Sequence, residues 1–308
     1  MNWIRRWLVS ASENKWLREH APRYRFIQSA ARRFMPGENV EAAMATARRL
    51  AADGISTLLT YLGENVRDRT ESEAVTQQYL SLLDSIRTEA LPAEISVKLT
   101  QLGLDLDEEL CYANLARLLE QAGSQAVWID MEQSSYVDRT LALYERAQKV
   151  HRQTGVCLQA YLYRTEKDLA SLISRGASVR LVKGAYNEPR EIAYALKREV
   201  DESYFHLAQA LLGDGARRAG VRAVMATHDR KLIARIAEWA AGQGIPKTRL
   251  EFAMLYGIQR AEQLRLAREG YRSDVLISYG TFWFPWYMRR LAERPANIFF
   301  VIRNLFSS

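Results

Sequence analysis

Lys98, Asp130, Gln159 and Arg180 each interrupt a short apolar run of the sequence. Burying such a polar group without a partner costs roughly 2–7 kcal/mol, and an isolated charge costs more. Each of the four therefore needs company inside the fold. One such residue reads as a structural ion pair. Four of them in successive runs read as groups converging on a site, with a buried structural network as the alternative. More polar residues stand where the apolar runs end. They include Leu62-Gly63-Glu64, Asp130-Met131-Glu132, Lys183-Gly184-Ala185-Tyr186, Thr227-His228-Asp229, Leu255-Tyr256-Gly257 and Tyr279-Gly280, with Arg289-Arg290 following the last.

The candidate donors Lys98, Arg180, Lys183, His228, Arg289 and Arg290 are basic, and Asp130 is among the few acids with them. Such a set suits an anionic small substrate together with an anionic cofactor. Adjacent arginines can clamp a carboxylate through paired hydrogen bonds. At Lys183-Gly184-Ala185 the glycine lets a phosphate come close to the backbone, because it has no side chain. The histidines His20, His151, His206 and His228 are scattered, without H-x-H, H-E-x-x-H or C-x-x-C spacing, so no metal site is predicted. No G-x-S-x-G turn presents a serine nucleophile. Cys111 and Cys157 lie in apolar surroundings and read as packing residues.

The elements that must position these groups are legible. Apolar runs lie at 55–62, 95–99, 126–131, 156–162, 179–182, 221–227, 250–255 and 275–279. Several are continuous rather than alternating, which fits parallel strands covered on both faces. Helical patterns follow, for example at 71–87, 107–121, 136–151 and 230–241. Gly123, Gly155, Gly176 and Gly220 fall between a helix and the next strand, where a helix-stopping glycine is expected. Eight strand–helix units imply an α/β fold, a (βα)8 TIM-type barrel with its chemistry at the C-terminal strand ends. A doubly wound open sheet would be favoured by a glycine-rich fingerprint after the first strand, and none is present.

The 308 residues carry 43 Lys and Arg against 36 Asp and Glu, a net charge of +7. Of this, +6 falls before Pro36, where eight basic residues face Glu13 and Glu19 beside Trp3, Trp7 and Trp16. The chain thus divides into a basic, Trp-containing helical arm over 1–37 and a nearly neutral barrel over 38–308. Such an arm packs on the barrel or touches an anionic membrane surface; no nucleic-acid module is visible. Two cysteines make no disulfide framework, and no apolar run approaches the roughly 18 residues of a membrane span. The expected location is cytoplasmic, with room for a peripheral position on the inner face of the membrane.

The motifs I-S-V-K-L (95–99), I-D-M-E (129–132), Q-A-Y (159–161), R-L-V-K-G-A-Y (180–186), A-T-H-D (226–229), E-F-x-M-L-Y-G (251–257) and R-R-L-A-E-R-P-A-N (289–297) resemble, in order, those of the proline dehydrogenases, of the monofunctional bacterial type. The resemblance runs from about 38 to 304. It implies a distorted (βα)8 barrel holding FAD, and oxidation of L-proline to 1-pyrroline-5-carboxylate by hydride transfer to the flavin, with electrons passed to a membrane quinone. It implies that Arg289, Arg290 and Lys98 hold the substrate carboxylate, that Asp130 organises Lys98, and that Glu64 pairs with one of the arginines. It implies that Arg180 donates near flavin N5 and that Gln159 binds the pyrimidine edge. Met131, Val182, Lys183, Gly184, Ala185, Thr227, His228 and Glu293 would complete the cofactor site, and Tyr186 and Leu255 the substrate site.

The strand-8 stretch departs from the family pattern, Y-V-P-Y-G, since it reads Leu276-Ile277-Ser278-Tyr279-Gly280. Leu276 and Trp286 stand where the resemblance places ring-lining tyrosines, and Tyr186 alone remains of that set. The carboxylate clamp is intact and the ring pocket is altered. The alternatives are therefore 4-hydroxyproline or another proline derivative as substrate. Behind them come a flavin-free barrel lyase or isomerase and a basic membrane-binding protein.

Overall fold

A computed structural model describes residues 20, 24, 31, 33–63, 65–284 and 286–288 of the chain. Eight parallel strands close into a barrel in sequence order. They are β1 (Ser56–Tyr61), β2 (Ala93–Val97), β3 (Val127–Ile129), β4 (Thr154–Gln159), β5 (Ser178–Val182), β6 (Arg222–Ala226), β7 (Glu251–Leu255) and β8 (Arg272–Tyr279). β8 pairs with β1 through six registered positions and closes the ring. Helix α1 (Val40–Ala52) precedes β1. The crossovers are α2 (Arg69–Thr88), α3 (Glu108–Ala122), α4 (Val137–Gln148), α5 (Thr165–Ser174), α6 (Lys197–Leu212) with α7 (Asp214–Ala219), α8 (Arg230–Gly242) and α9 (Arg260–Arg268). Each predicted strand is present within a few residues of its predicted bounds.

Four of the helices start where a short polar side chain accepts a free backbone N–H. Asn39, Asp68, Asp107 and Asp229 cap α1, α2, α3 and α8 in this way. Gly123 and Gly220 end α3 and α7 at positive φ, as their positions predict. Gly155 does something else. It lies inside β4, and a Cβ there would stand 2.4 Å from the Trp128 ring. Its role is to make room for the indole, not to stop a helix.

The alternation of strand residues separates two cores. One face packs under the helices, with Ile95, Val97, Ile129, Val156, Leu181 and Ile277 all buried. The other fills the barrel with Leu58, Ala126, Trp128, Val224 and Ala253. Beneath this layer, at the N-terminal strand ends, lies a network of charges. Arg222 pairs with Glu94 at 2.7 Å and with Glu251 at 2.5 Å, and Arg272 reaches Glu251 at 3.2 Å. Burial works against the charge on Glu251, but hydrogen bonding and attraction from Arg222 outweigh it and hold its carboxyl below the usual range. The neighbouring Asp274 is pushed far above that range by burial and by the repulsion of Glu251.

The stretch before α1 reaches the other end of the barrel. Gly257, just past β7, has φ of +76°, and a Cβ on it would meet the Arg33 carbonyl oxygen at 1.7 Å. Phe34 packs on Tyr287, and Trp283 donates from Nε1 to Glu38 Oε1 at 2.7 Å. Among the described residues no helix is long and apolar enough to cross a membrane.

Gly155→Ala should lower stability by about 1–3 kcal/mol, because overpacking against Trp128 leaves the ring no alternative place. Urea unfolding of the two proteins measures this, and an unchanged midpoint would show that the barrel interior yields.

Candidate active site

At the C-terminal strand ends the groups singled out by the sequence form one chain of contacts. Alternation places Ser96 and Lys98 on the inward face of β2 and its extension, Asp130 just past β3, and Arg180 in the middle of β5. Arg180 Nη2 pairs with Asp130 Oδ1 and donates to Ser96 Oγ at 2.9 Å. Ser96 Oγ donates in turn to the same Asp130 oxygen at 2.8 Å. Lys98 Nζ stands 3.8 Å from Asp130 Oδ2. Asp130 thus holds two cations from strands on either side of its own. Arg180 is 3% exposed and Lys98 8%, so both charges lie in a region where water screens little. Burial opposes the charge on Arg180, but the attraction of Asp130 prevails and its affinity for the proton ends above the ordinary value. Cys157 lies beside Arg180 on β4, and burial pushes its thiol up.

Gln159 ends β4 but does not join Asp130. Its side-chain amide donates to the Glu132 carbonyl at 3.1 Å, and its backbone carbonyl accepts from the Thr165 hydroxyl at 2.6 Å. The side-chain oxygen Oε1 of Gln159 and Nη1 of Arg180 are buried without a hydrogen-bond partner in the structure. A buried acceptor and a buried donor left open in this way are uncommon and costly.

The residues past β5 and β6 form a second group. Gly184 has φ of +116°, and a Cβ there would press on the Tyr161 ring at 2.3 Å. Glycine is needed here because an aromatic ring occupies that side. Lys183 Nζ is held by Asp201 at 2.5 Å and Asp229 at 3.0 Å, and Lys197 bridges the same two carboxylates. Burial opposes the charge on Asp229, but hydrogen bonds from Lys197 and Lys183 outweigh it and keep the carboxyl well below the usual range. Thr227 is buried, with Oγ1 accepting from the Asp229 N–H at 3.2 Å. His228 Nε2 accepts the Leu255 N–H at 2.9 Å, so the neutral ring carries its proton on Nδ1.

Met131 is buried beside Asp130, and Val182, Ala185 and Tyr186 are half-buried along and after β5. Leu276 packs against the barrel-filling cluster from β8, and Trp286 is buried. Glu64, Arg289, Arg290 and Glu293 lie outside the described residues, as does most of the arm over 1–37. Sequence reasoning passed over Ser96, although alternation with Lys98 on one strand already put the two on the same face. It also passed over Glu132, which accepts from the Thr100 N–H and hydroxyl at 3.2 and 2.7 Å and ties the ends of β2 and β3 together.

The sequence pattern of the family described as proline dehydrogenase matches residues 43–303. Proline dehydrogenase 1 of Bacillus subtilis (strain 168) is 38% identical over 304 residues, covering 98% of this chain and 99% of that one. Proline dehydrogenase of Deinococcus radiodurans is 34% identical over 282 residues, covering 89% of each. Among solved structures, proline utilization A from Bdellovibrio bacteriovorus, inactivated by N-propargylglycine, superposes with a TM-score of 0.80 at 24% identity. That match covers 87% of this chain and 33% of the other, so this chain spans about a third of the longer protein's length. The likeness supports the barrel fold.

Ser96→Ala should cost about 1–3 kcal/mol of stability, since it removes a buried hydroxyl that serves both Arg180 and Asp130. Urea unfolding reads the loss. A variant as stable as the parent would mean that Arg180 and Asp130 need no third partner.

Proposed function

This chain belongs to the proline dehydrogenase family, and from that premise we propose that its barrel oxidises L-proline, or a close analogue, to 1-pyrroline-5-carboxylate with FAD as cofactor. The observation that carries the reading is the buried chain Lys98–Asp130–Ser96–Arg180 with two unpaired polar atoms on its wall, Arg180 Nη1 and Gln159 Oε1. An acceptor and a donor left open in a buried wall fit the alternating polar edge of a flavin ring. On this reading Gln159, Arg180, Val182, Lys183, Gly184, Thr227 and His228 would hold FAD, with Met131 and Ala185 beside them. Bound FAD supplies the hydride acceptor.

The protein supplies position and field. Arg180 is kept cationic by Asp130 in a region nearly closed to water, so its charge would stabilise negative charge on a flavin held beside it. Asp130 restrains both cations, and Lys98, held loosely at 3.8 Å, would be a partner for a substrate carboxylate. Arg289 and Arg290 are assigned to the same carboxylate by the motif they stand in.

Leu276 favours a second reading of the substrate. It presents an apolar wall inside the barrel, where a phenol would offer a hydroxyl. A ring without that hydrogen bond is bound mainly by shape, and a substituted ring is then tolerated. Electrons would leave toward a quinone. The basic arm is assigned a peripheral contact with the membrane that holds it, because +6 of the net +7 charge sits before Pro36.

Purified protein should be yellow, and its flavin absorbance should bleach with proline; protein that takes up no FAD would overturn the reading. Proline, 4-hydroxyproline and pipecolate compared by bleaching rate rank the substrates. In the same assay Arg180→Met should slow reduction by about 10²–10³-fold, the usual loss of a donor to developing charge. Deletion of residues 1–20 should weaken binding to anionic liposomes while leaving turnover with a soluble dye intact. Unchanged binding would assign the arm to packing alone.

A further inference from the structure

Residues 183–196, which connect β5 to α6, make the longest strand-to-helix crossing among the described residues. Long crossings at the mouth of a barrel are commonly functional. Both flanks of this one are tied to the neighbouring β4–α5 connection. Tyr161 N–H donates to Lys183 O at 3.0 Å, Tyr163 N–H to Ile192 O at 3.0 Å, and Tyr194 N–H to Tyr161 O at 2.8 Å. Tyr163 OH reaches Arg190 O at 2.9 Å.

Between the flanks the loop takes a different partner. The Glu188 carboxylate accepts the Ser134 backbone N–H at 2.8 Å and the Ser134 hydroxyl at 2.5 Å. Ser134 belongs to the β3–α4 connection, and β4 stands between β3 and β5 in the barrel. The carboxylate therefore bridges two connections whose strands are not neighbours and spans the end of β4, which carries Gln159. Two hydrogen bonds onto one ionised group are stronger than neutral ones and fix its direction. Glu188 lies two residues beyond Tyr186.

We propose that Glu188 is a positioning residue for substrate binding, which with Ser134 latches the β5–α6 loop across the barrel mouth and so places Tyr186. The inference rests on the proposed function, in which Tyr186 lines the substrate pocket. With Leu276 and Trp286 replacing the other two ring-lining tyrosines, the placement of Tyr186 sets more of the pocket than it would in a complete aromatic set. A loop held in place before binding need not be ordered at the moment of binding, and that difference appears in affinity. Glu188 touches no reacting atom, so the chemical step is spared.

The test uses the full-length holoenzyme with Glu188→Ala, Glu188→Gln, Ser134→Ala and the double variant Glu188→Ala/Ser134→Ala. Glu188→Ala should raise KM for proline about ten-fold with kcat within about two-fold, in the range of a lost hydrogen bond to a charged group. Glu188→Gln and Ser134→Ala each keep one bond and should fall between it and the parent. The double variant should be no worse than Glu188→Ala, because both remove one interaction. Trypsin cleavage after Arg190, followed without substrate, should be faster in Glu188→Ala. Unchanged KM, a matching fall in kcat, additive effects in the double variant or unchanged cleavage would each overturn the latch. If the parent enzyme does not oxidise proline, the functional reading fails while the cleavage rates still decide whether the latch exists.

Discussion

The Trp128 indole fills the barrel interior within reach of two guanidiniums, Arg180 buried and Arg222 half-buried, and much of the interior is arranged around it. Arg180 stands 5.5 Å from the ring centroid and Arg222 stands 5.2 Å from it. The indole N–H donates to Glu94 at 2.7 Å, and Gly155 vacates the space that the ring needs. An aromatic ring stabilises a nearby cation, the more so where water is excluded, and here one ring serves two. The guanidiniums repel each other, and each is neutralised on its own side. Arg222 has Glu94 and Glu251 below, and Arg180 has Asp130 above.

This arrangement separates two ionic networks with different duties. The lower one joins charges to one another at the N-terminal strand ends, where Arg222 meets Glu94 and Glu251, Arg272 meets Glu251, and burial holds the neighbouring Asp274 carboxyl well above its usual range. In the upper one Arg180 Nη1 has no hydrogen-bond partner and Lys98 stands at a looser 3.8 Å from Asp130. The lower network reads as the structural floor of the barrel, and the upper one lies at the C-terminal strand ends, where a barrel carries its chemistry. Buried charges admit a site or a structural network, and the barrel contains one of each, at opposite ends.

The mouth is held by carboxylates as well. Glu132 ties β3 to β2, Asp201 and Asp229 take up Lys183 and Lys197 above β5 and β6, and Glu188 reaches back to Ser134. Each joins the end of one strand to the connection of another, so the loops around the open network are fixed from several sides. Such restraint is what a site needs in order to aim dipoles and charges before a substrate arrives.

The sequence by itself determined the strand count, the parallel order and the end of the barrel that carries chemistry, because those follow from apolar period and from charges too costly to bury alone. It also determined the family, since seven motifs stand in unbroken order, six of them at β2 to β7. It did not determine what each buried charge would meet. Arg222 and Glu251 sit in strands as polar as those of Lys98 and Arg180, and only the closing of β8 onto β1 and the level of each residue along its strand put them on the floor. Gly155 reads in the sequence as a helix stop and Gly184 as an approach for a phosphate, yet each makes room for an aromatic ring, Trp128 and Tyr161, that comes from another element. The partner of Glu188 lies 54 residues earlier in the chain. Contacts of this kind are set by register and closure, which no local pattern encodes, and they decided how the site is held.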